Sequence, residues 1–405
     1  NERSVVSYGD KIMVEKYRHL YVIIEHEDGE FLPVSFEMIG EARRLLDGFN
    51  SKYSSNEKVV AVILGHNIKD VTKQLIEYGA DAVIYADNPE LKDVRNTIYT
   101  KVIGQIAQDT KSLGEIEPEY AGQVQRPRYM FFAADSIGRH LSSTVLVELE
   151  SGLASDINQL IIEDIEMSHQ QKTGGKKETY EKTLKMYRPD FSGFLWTTIL
   201  CLDNRNPAFK RDYHPQSCSI IPGVFEPLKP DSLRDGKIIE FTPTIDEQDL
   251  KVKVLSRQII KSVVDFDTPR CIVSFGRGIK DDPEKNIKLV ENLAKELNAE
   301  IGVTLPISKK PYAVSQALDS KYLIPDRVIG TSGHKTSAML YIAAGVSGAM
   351  QHVWGMKDSG FVVAINPDED APIKNECDIF IKGRMEDVIP LLVEEIKKQT
   401  LIVEA

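Results

Sequence analysis

The chain is predicted to be an α/β protein built as two doubly wound domains, residues 1–263 and 268–398. Three observations predict it. Short β-rich apolar runs alternate with helical patterns from His19 onward, as in a mostly parallel sheet with crossover helices. Strands of the last third end in polar, glycine-rich turns. The length of 405 residues exceeds one hydrophobic core, since single cores stop growing at about 250 to 300 residues.

Residues 19–25, 58–64, 81–86 and 128–133 read as strands. Between them, 34–49 and 70–78 read as helices, with Met38, Ala42 and Leu45 on one face and charge on the other. The stretch 167–187 is polar, lysine-rich and carries Gly174-Gly175, so an exposed excursion is expected there. Strands resume at 194–202 and 219–224, followed by a proline-containing link at 226–231 and a polar segment at 242–250. An interdomain hinge is expected at 264–269. Beyond it the pattern reads strand 271–275, helix 284–297, strand 300–303 and a long irregular stretch. Strand 327–329, helix 337–344, strands 361–365 and 378–382, and helix 386–399 complete the series.

The formal charge of −11 argues against nucleic acid or an anionic membrane as the main partner, because both select for lysine and arginine excess. Cys201, Cys218, Cys271 and Cys377 show no Cys-x-x-Cys spacing, so redox chemistry must come from a bound organic cofactor. They read as small buried hydrophobes. No apolar run approaches the roughly 20 residues of a spanning helix, and residues 1–16 lack a signal core. A cytoplasmic protein is expected.

In a doubly wound sheet, ligands sit beyond the carboxyl ends of the strands. At the first such exit, Gly276-Arg277-Gly278 allows close backbone approach and offers a forked donor, or is simply a structural turn. The second, Gly330-Thr331-Ser332-Gly333-His334, puts two hydroxyls between glycines before a helical pattern; it reads as an anion-facing turn or as a helix cap. At the third, Gly345, Ser347, Gly348 and Ala349 leave no bulk against a ligand, while Gln351 and His352 add donors. A flat heteroaromatic cofactor needs that combination. The fourth is Asn366, after the apolar run 362–365.

The run from Leu340 through Gly345-Val346-Ser347-Gly348-Ala349-Met350-Gln351-His352, then Gly355-Met356-Lys357-Asp358-Ser359 and Ala364-Ile365-Asn366-Pro367-Asp368, resembles the electron-transfer flavoprotein α-subunit family. The resemblance extends over most of the chain through Pro127-Arg128-Tyr129, Ser136-Ile137-Gly138-Arg139, Arg188-Pro189, Ser192-Gly193 and Ile221-Pro222-Gly223-Val224-Phe225. It implies a carboxyl-terminal FAD-binding Rossmann-like (DHS-like) domain and a heterodimer with a β subunit that contacts the amino-terminal domain. It also implies electron carriage between flavoprotein dehydrogenases and a quinone reductase or similar acceptor, with an electron-bifurcating complex of NADH, ferredoxin and quinone as a variant.

Carried over by position, the resemblance implies FAD contacts from Arg277, Thr304, Ile329, Gly330, Thr331, Ser332, Ser347, Gly348, Ala349, Met350, Gln351, His352, Asn366 and Arg384. Ser332 would face the reactive flavin nitrogen and His352 the pyrimidine carbonyl. Three positions depart from the family. Leu305 stands where an arginine packs over the isoalloxazine, His334 where a lysine is usual, and Arg384 where an acid is expected near the adenine. Lys309 and Lys310, in the long stretch 307–325, read as a solvated loop or as a replacement cation. These changes imply a retuned flavin potential or a specialised partner. The alternatives are a nicotinamide-dependent dehydrogenase, which lacks a Gly-x-Gly-x-x-Gly motif here, and an adenine-nucleotide-binding sensor.

Overall fold

The computed structural model describes residues 16–190, 195–257, 264, 266, 270–309 and 311–403. Ser192, Gly193, Lys310, the first fifteen residues and most of the link expected at 264–269 lie outside the described residues. The described residues up to Arg257 form one compact unit and those from Val264 onward a second.

The first unit contains β1 (Tyr17–Ile23), β2 (His26–Glu27), β3 (Glu30–Phe31), β4 (Val59–Gly65), β5 (Ala82–Asp87), β6 (Arg126–Ala133) and β7 (Leu153–Ile157). It continues with β8 (Gln159–Ser168), β9 (Lys177–Asp190), β10 (Leu195–Leu200), β11 (Gln216–Ile220) and β12 (Lys237–Glu240). Its helices are α1 (Pro33–Tyr53), α2 (Thr72–Glu77), α3 (Asn96–Ala107), α4 (Thr110–Ile116), α5 (Ser136–Glu148) and the single turn α6 (Gln170–Thr173).

Seven strands make a sheet in the order β12-β5-β4-β1-β6-β11-β7, and every pairing in it is parallel. The central strands β4 and β5 are apolar over almost their whole length because both faces are covered. Leu20, Val22, Val59, Ala61 and Ile63 pack under α1, whereas Tyr21, Ile23, Val60, Val62 and Leu64 pack under α3 and α5. The strand β12 was not anticipated; it adds to the edge beside β5 and buries only Ile239.

The expectation of an exposed excursion at 167–187 is corrected. Most of it is strand, in a three-stranded antiparallel sheet ordered β10-β9-β8. Tyr180, Thr183, Leu184 and Met186 are buried, while Lys177 and Glu181 are exposed and the partly exposed Lys185 pairs with Glu163 at 2.7 Å. The average polarity of the stretch conceals a period of two. Gly174 and Gly175, at φ 64° and 78°, turn the chain as expected.

At the carboxyl ends of the central strands β1 and β6, Glu25 shares a hydrogen bond with Asp135, the residue that caps α5 by accepting from the amides of Ile137 and Gly138. Burial, with that hydrogen bond and the Asp135 charge, pushes the Glu25 carboxyl up to about 9.

The second unit contains β13 (Cys271–Phe275), β14 (Glu300–Val303), β15 (Leu340–Ala344), β16 (Val362–Asn366) and β17 (Ile379–Lys382). Its helices are α7 (Pro283–Glu296), α8 (Gln316–Tyr322), α9 (Met350–Met356) and α10 (Met385–Val403). The five strands are parallel in the order β14-β13-β15-β16-β17. On one face, Val273, Phe275, Ile342 and Ile365 meet Ile287, Val290 and Leu293 of α7 and Ile389 and Val393 of α10. On the other, Ile272, Tyr341, Ala343 and Ala364 meet Met356 of α9 and Ile373.

Two expectations fail in this unit. The helix predicted at 337–344 is strand β15, in the middle of the sheet, because Tyr341 to Ala344 are buried between the two faces and a short apolar run has no periodicity that separates strand from helix. The strand predicted at 327–329 shrinks to two isolated bridges, Val303 with Val328 and Ile329 with His334.

Glu25 yields a prediction about stability. Its carboxyl binds a proton more tightly in the folded than in the unfolded chain, so stability falls as pH rises from the unfolded value of 4.5 toward about 9. Glu25→Gln should flatten that slope, so that its urea midpoint gains on the parent's more at pH 8 than at pH 5. Parallel slopes in the two proteins would contradict the burial of a protonated carboxyl.

Candidate functional site

The order of the five-stranded sheet reverses between β13 and β15, since β14 lies on one side of β13 and every later strand on the other. A doubly wound sheet opens a crevice beyond the carboxyl ends at such a point. The two loops that leave it are Gly276-Arg277-Gly278 and Gly345 to Ala349.

These loops touch backbone to backbone. The Gly276 amide donates to the Ala344 carbonyl at 3.2 Å and the Gly278 amide to the Gly345 carbonyl at 3.0 Å. A Cβ on Gly278 would lie 2.5 Å from the Gly345 Cα, and one on Gly345, whose φ is +61°, would lie 2.8 Å from the Gly278 Cα. Gly348, at φ +82°, abuts the backbone of Ile373 in the same way. The expectation that these glycines are small to clear a ligand is thereby revised, because their lack of a side chain lets neighbouring loops lock together.

The fourteen residues anticipated for the cofactor divide into two sets. Arg277, Thr331, Ser332, Ser347 and Gln351 are solvent-facing, and their side chains make no hydrogen bond or ion pair among the described residues. Ala349 is also exposed, and Met350 is half-buried at the start of α9. The others are committed to the protein. Asn366 donates to the Val346 carbonyl at 2.8 Å and accepts from the Asp368 amide at 2.9 Å. Thr304 is buried, with its amide on the Phe275 carbonyl at 3.1 Å. Gly330 is tied to the His334 carbonyl at 3.0 Å. Arg384 pairs with Asp281 and, at 3.4 Å, with Glu386, so its guanidinium holds the end of β17 to the turn after Gly278.

His352 is the most enclosed of them, at 4% exposure. Its Nδ1 lies 2.9 Å from the Ile329 carbonyl and its Nε2 lies 3.0 Å from the Tyr341 hydroxyl. Burial pushes its pKa down to about 4, so the ring is neutral at physiological pH. The helix expected behind Gly330 is absent, since 340–344 is strand; the turn offers amides and hydroxyls without a helix dipole. Leu305, where the resemblance leads one to look for an arginine, is half-buried and packs against the core under α7.

Residues 265–357 match the electron transfer flavoprotein FAD-binding domain, and residues 20–187 match the electron transfer flavoprotein domain. The electron transfer flavoprotein subunit alpha of Thermoanaerobacterium thermosaccharolyticum is 34% identical over 94% of this chain and 98% of its own. The chain belongs to the electron-transfer flavoprotein α-subunit family. Protein FixB of Clostridium saccharobutylicum is 32% identical over 95% of this chain and 98% of its own. The acryloyl-CoA reductase electron transfer subunit beta of Anaerotignum propionicum is 30% identical over 95% and 97%.

The family's cofactor is FAD, and the residues present fit it. A guanidinium, three hydroxyls and a carboxamide, all uncommitted, stand at the carboxyl edge of one rigid sheet, with the chemistry that a pyrophosphate and a flavin ring require. Sequence reasoning passed over Tyr341 as a site residue, because 337–344 read as a helix and a tyrosine in a helix has no necessary relation to His352. Among the described residues, no helix is long and apolar enough to cross a membrane.

The glycine packing can be tested. Gly348→Ala should destabilise the second unit by about 1–3 kcal/mol, the cost of a non-glycine residue in the left-handed region, and weaken FAD binding in parallel. Gly48→Ala in α1, where a Cβ would meet nothing within 4 Å, should instead stabilise the first unit by about 0.5–1 kcal/mol. Urea unfolding of the two variants checks both signs.

Proposed function

We propose that the chain is the FAD-holding subunit of an αβ electron carrier, with the cofactor seated beyond β13, β15 and the Gly330 turn. The observation that carries this reading is the set of five uncommitted polar side chains on the loops that leave β13 and β15, on the Gly330 turn and at the start of α9. Arg277 suits the pyrophosphate, because its fork donates to two oxygens at once. Ser332 and Thr331 suit the ring, because a donor aimed where charge develops raises the potential at which that charge is accepted. Ser347 and Gln351, on the loop after β15, complete the cradle. When bound, FAD supplies the redox chemistry that none of these side chains has.

Thr304, Ile329, Gly348, His352, Asn366 and Arg384 act in this reading as the frame that holds those donors, by the contacts each makes within the protein. Leu305 leaves the ring without the family's cation, and Lys309, exposed in the next turn, is its nearest candidate substitute in sequence. Leu305→Arg should therefore raise the midpoint potential of the bound flavin in a spectroelectrochemical titration; an unchanged potential would remove Leu305 from the account.

The partner is a β subunit bound through the first unit, and the complex works in the cytoplasm between flavoprotein dehydrogenases and a quinone reductase or similar acceptor. The name of the Anaerotignum propionicum relative, an electron transfer subunit of a reductase, supports a redox enzyme as the client. A bifurcating version, coupling NADH to ferredoxin and quinone, requires a second FAD in the β subunit. Co-purification with that subunit decides both levels: a flavin spectrum is expected, with two FAD per complex for the bifurcating form and one for the simple carrier. A colourless complex that takes up no added FAD would refute the proposal.

A further inference from the structure

We propose that Tyr341 is a positioning residue for the FAD site, acting through the His352 ring on the turn that carries Thr331 and Ser332. The inference rests on the FAD reading above, but its mechanical part stands on contacts within the protein alone.

Tyr341 is in the middle strand of the five-stranded sheet and is fully buried. A phenol in that position needs a partner for its hydroxyl. It finds the Nε2 of His352, 3.0 Å away on α9. The direction of each hydrogen bond follows from chemistry. The Ile329 carbonyl oxygen, 2.9 Å from Nδ1, only accepts, so Nδ1 carries the hydrogen. In a neutral ring Nε2 then holds a lone pair, and the Tyr341 hydroxyl donates to it. The tautomer is thus set from both ends.

The far end of this relay is the carbonyl of Ile329, the residue that enters the Gly330 turn. Ile329 is otherwise held by its amide on the Val303 carbonyl at 2.9 Å. Past it, the Thr331 amide donates to the Gln351 carbonyl at 2.8 Å, one residue before His352. The turn is therefore gripped by two consecutive residues of α9, one through its backbone and one through its ring. Only the ring contact depends on a specific side chain, and Tyr341 orients that ring. Without the tyrosine hydroxyl, Nε2 is left buried with no donor. The ring is then free to exchange tautomers or rotate, and the Ile329 carbonyl loses a fixed partner. Thr331 and Ser332 keep their chemistry but lose a defined position, which is how a supporting contact tunes a site it does not touch.

The experiment uses the complex with the co-expressed β subunit. In the parent protein, nitrogen-15 spectra of labelled histidine should show His352 as the Nδ1–H tautomer. Tyr341→Phe should yield a mixed tautomer, faster amide exchange at Thr331, Ser332 and Gly333, and about tenfold weaker FAD binding, the loss of one buried hydrogen bond. A parent His352 in the Nε2–H form would overturn the proposal. So would a Tyr341→Phe protein with slow exchange at those amides and parent FAD affinity.

Should Tyr341→Phe fail to fold, a pair of variants at His352 serves. His352→Gln retains an amide donor for the Ile329 carbonyl and should hold both exchange protection and affinity near the parent, whereas His352→Leu should lose both. Equal behaviour of the two would also overturn it. If the parent complex binds no FAD, the assigned function fails, while the tautomer and exchange comparisons still decide whether the relay positions the turn.

Discussion

The second unit depends on a close backbone contact between two loops that leave neighbouring strands. Where β13 and β15 end, the amides of Gly276 and Gly278 reach the carbonyls of Ala344 and Gly345, and the chains pass so near that a single Cβ on either side would overlap the other. Main chain against main chain leaves no rotatable side chain between the elements. It places Arg277 and Ser347 on loops that cannot drift apart. The crevice that a doubly wound sheet opens at its reversal is therefore bounded by a rigid rim.

That rigidity explains why the polar residues of the site fall into two groups with opposite habits. His352 and Asn366 spend their hydrogen-bonding capacity inside the protein, on Ile329 and Val346, while Arg384 pairs with Asp281 at the surface. The five solvent-facing residues spend none. A donor is useful to a ligand only if it is not already satisfied, and well placed only if its backbone is held by groups that are. Leu305 belongs with the first group, since its side chain joins the core beneath α7.

The first unit obeys a simpler constraint. Its central parallel strands are covered on both faces, so most of their side chains are apolar, and polar groups caught at strand ends pair with one another. Arg18 with Glu117 and Arg128 with Glu57 do so as buried ion pairs. Glu25 does so by keeping its proton and bonding to Asp135.

Much of this was legible in the order of residues. Alternating apolar runs and helical patterns determined the α/β class, the strands at 58–64 or 271–275 are apolar enough to need two covered faces, and the glycine-rich exits with the motif ending in His352 determined the family and its FAD. Those properties are local, or repeat at a fixed period, and a sequence displays both directly. Strand β15 was misread because its five residues are apolar on every side; only its neighbours β13 and β16 make it a strand. The antiparallel sheet was misread because its lysines raise the polarity that its buried Tyr180, Leu184 and Met186 belie. The division of site residues into holders and donors, and the hydrogen bond between Tyr341 and His352, belong to the tertiary structure. Whether a polar group is free depends on what the fold brings within hydrogen-bonding distance of it, and residues eleven or a hundred positions apart do not advertise that they will meet.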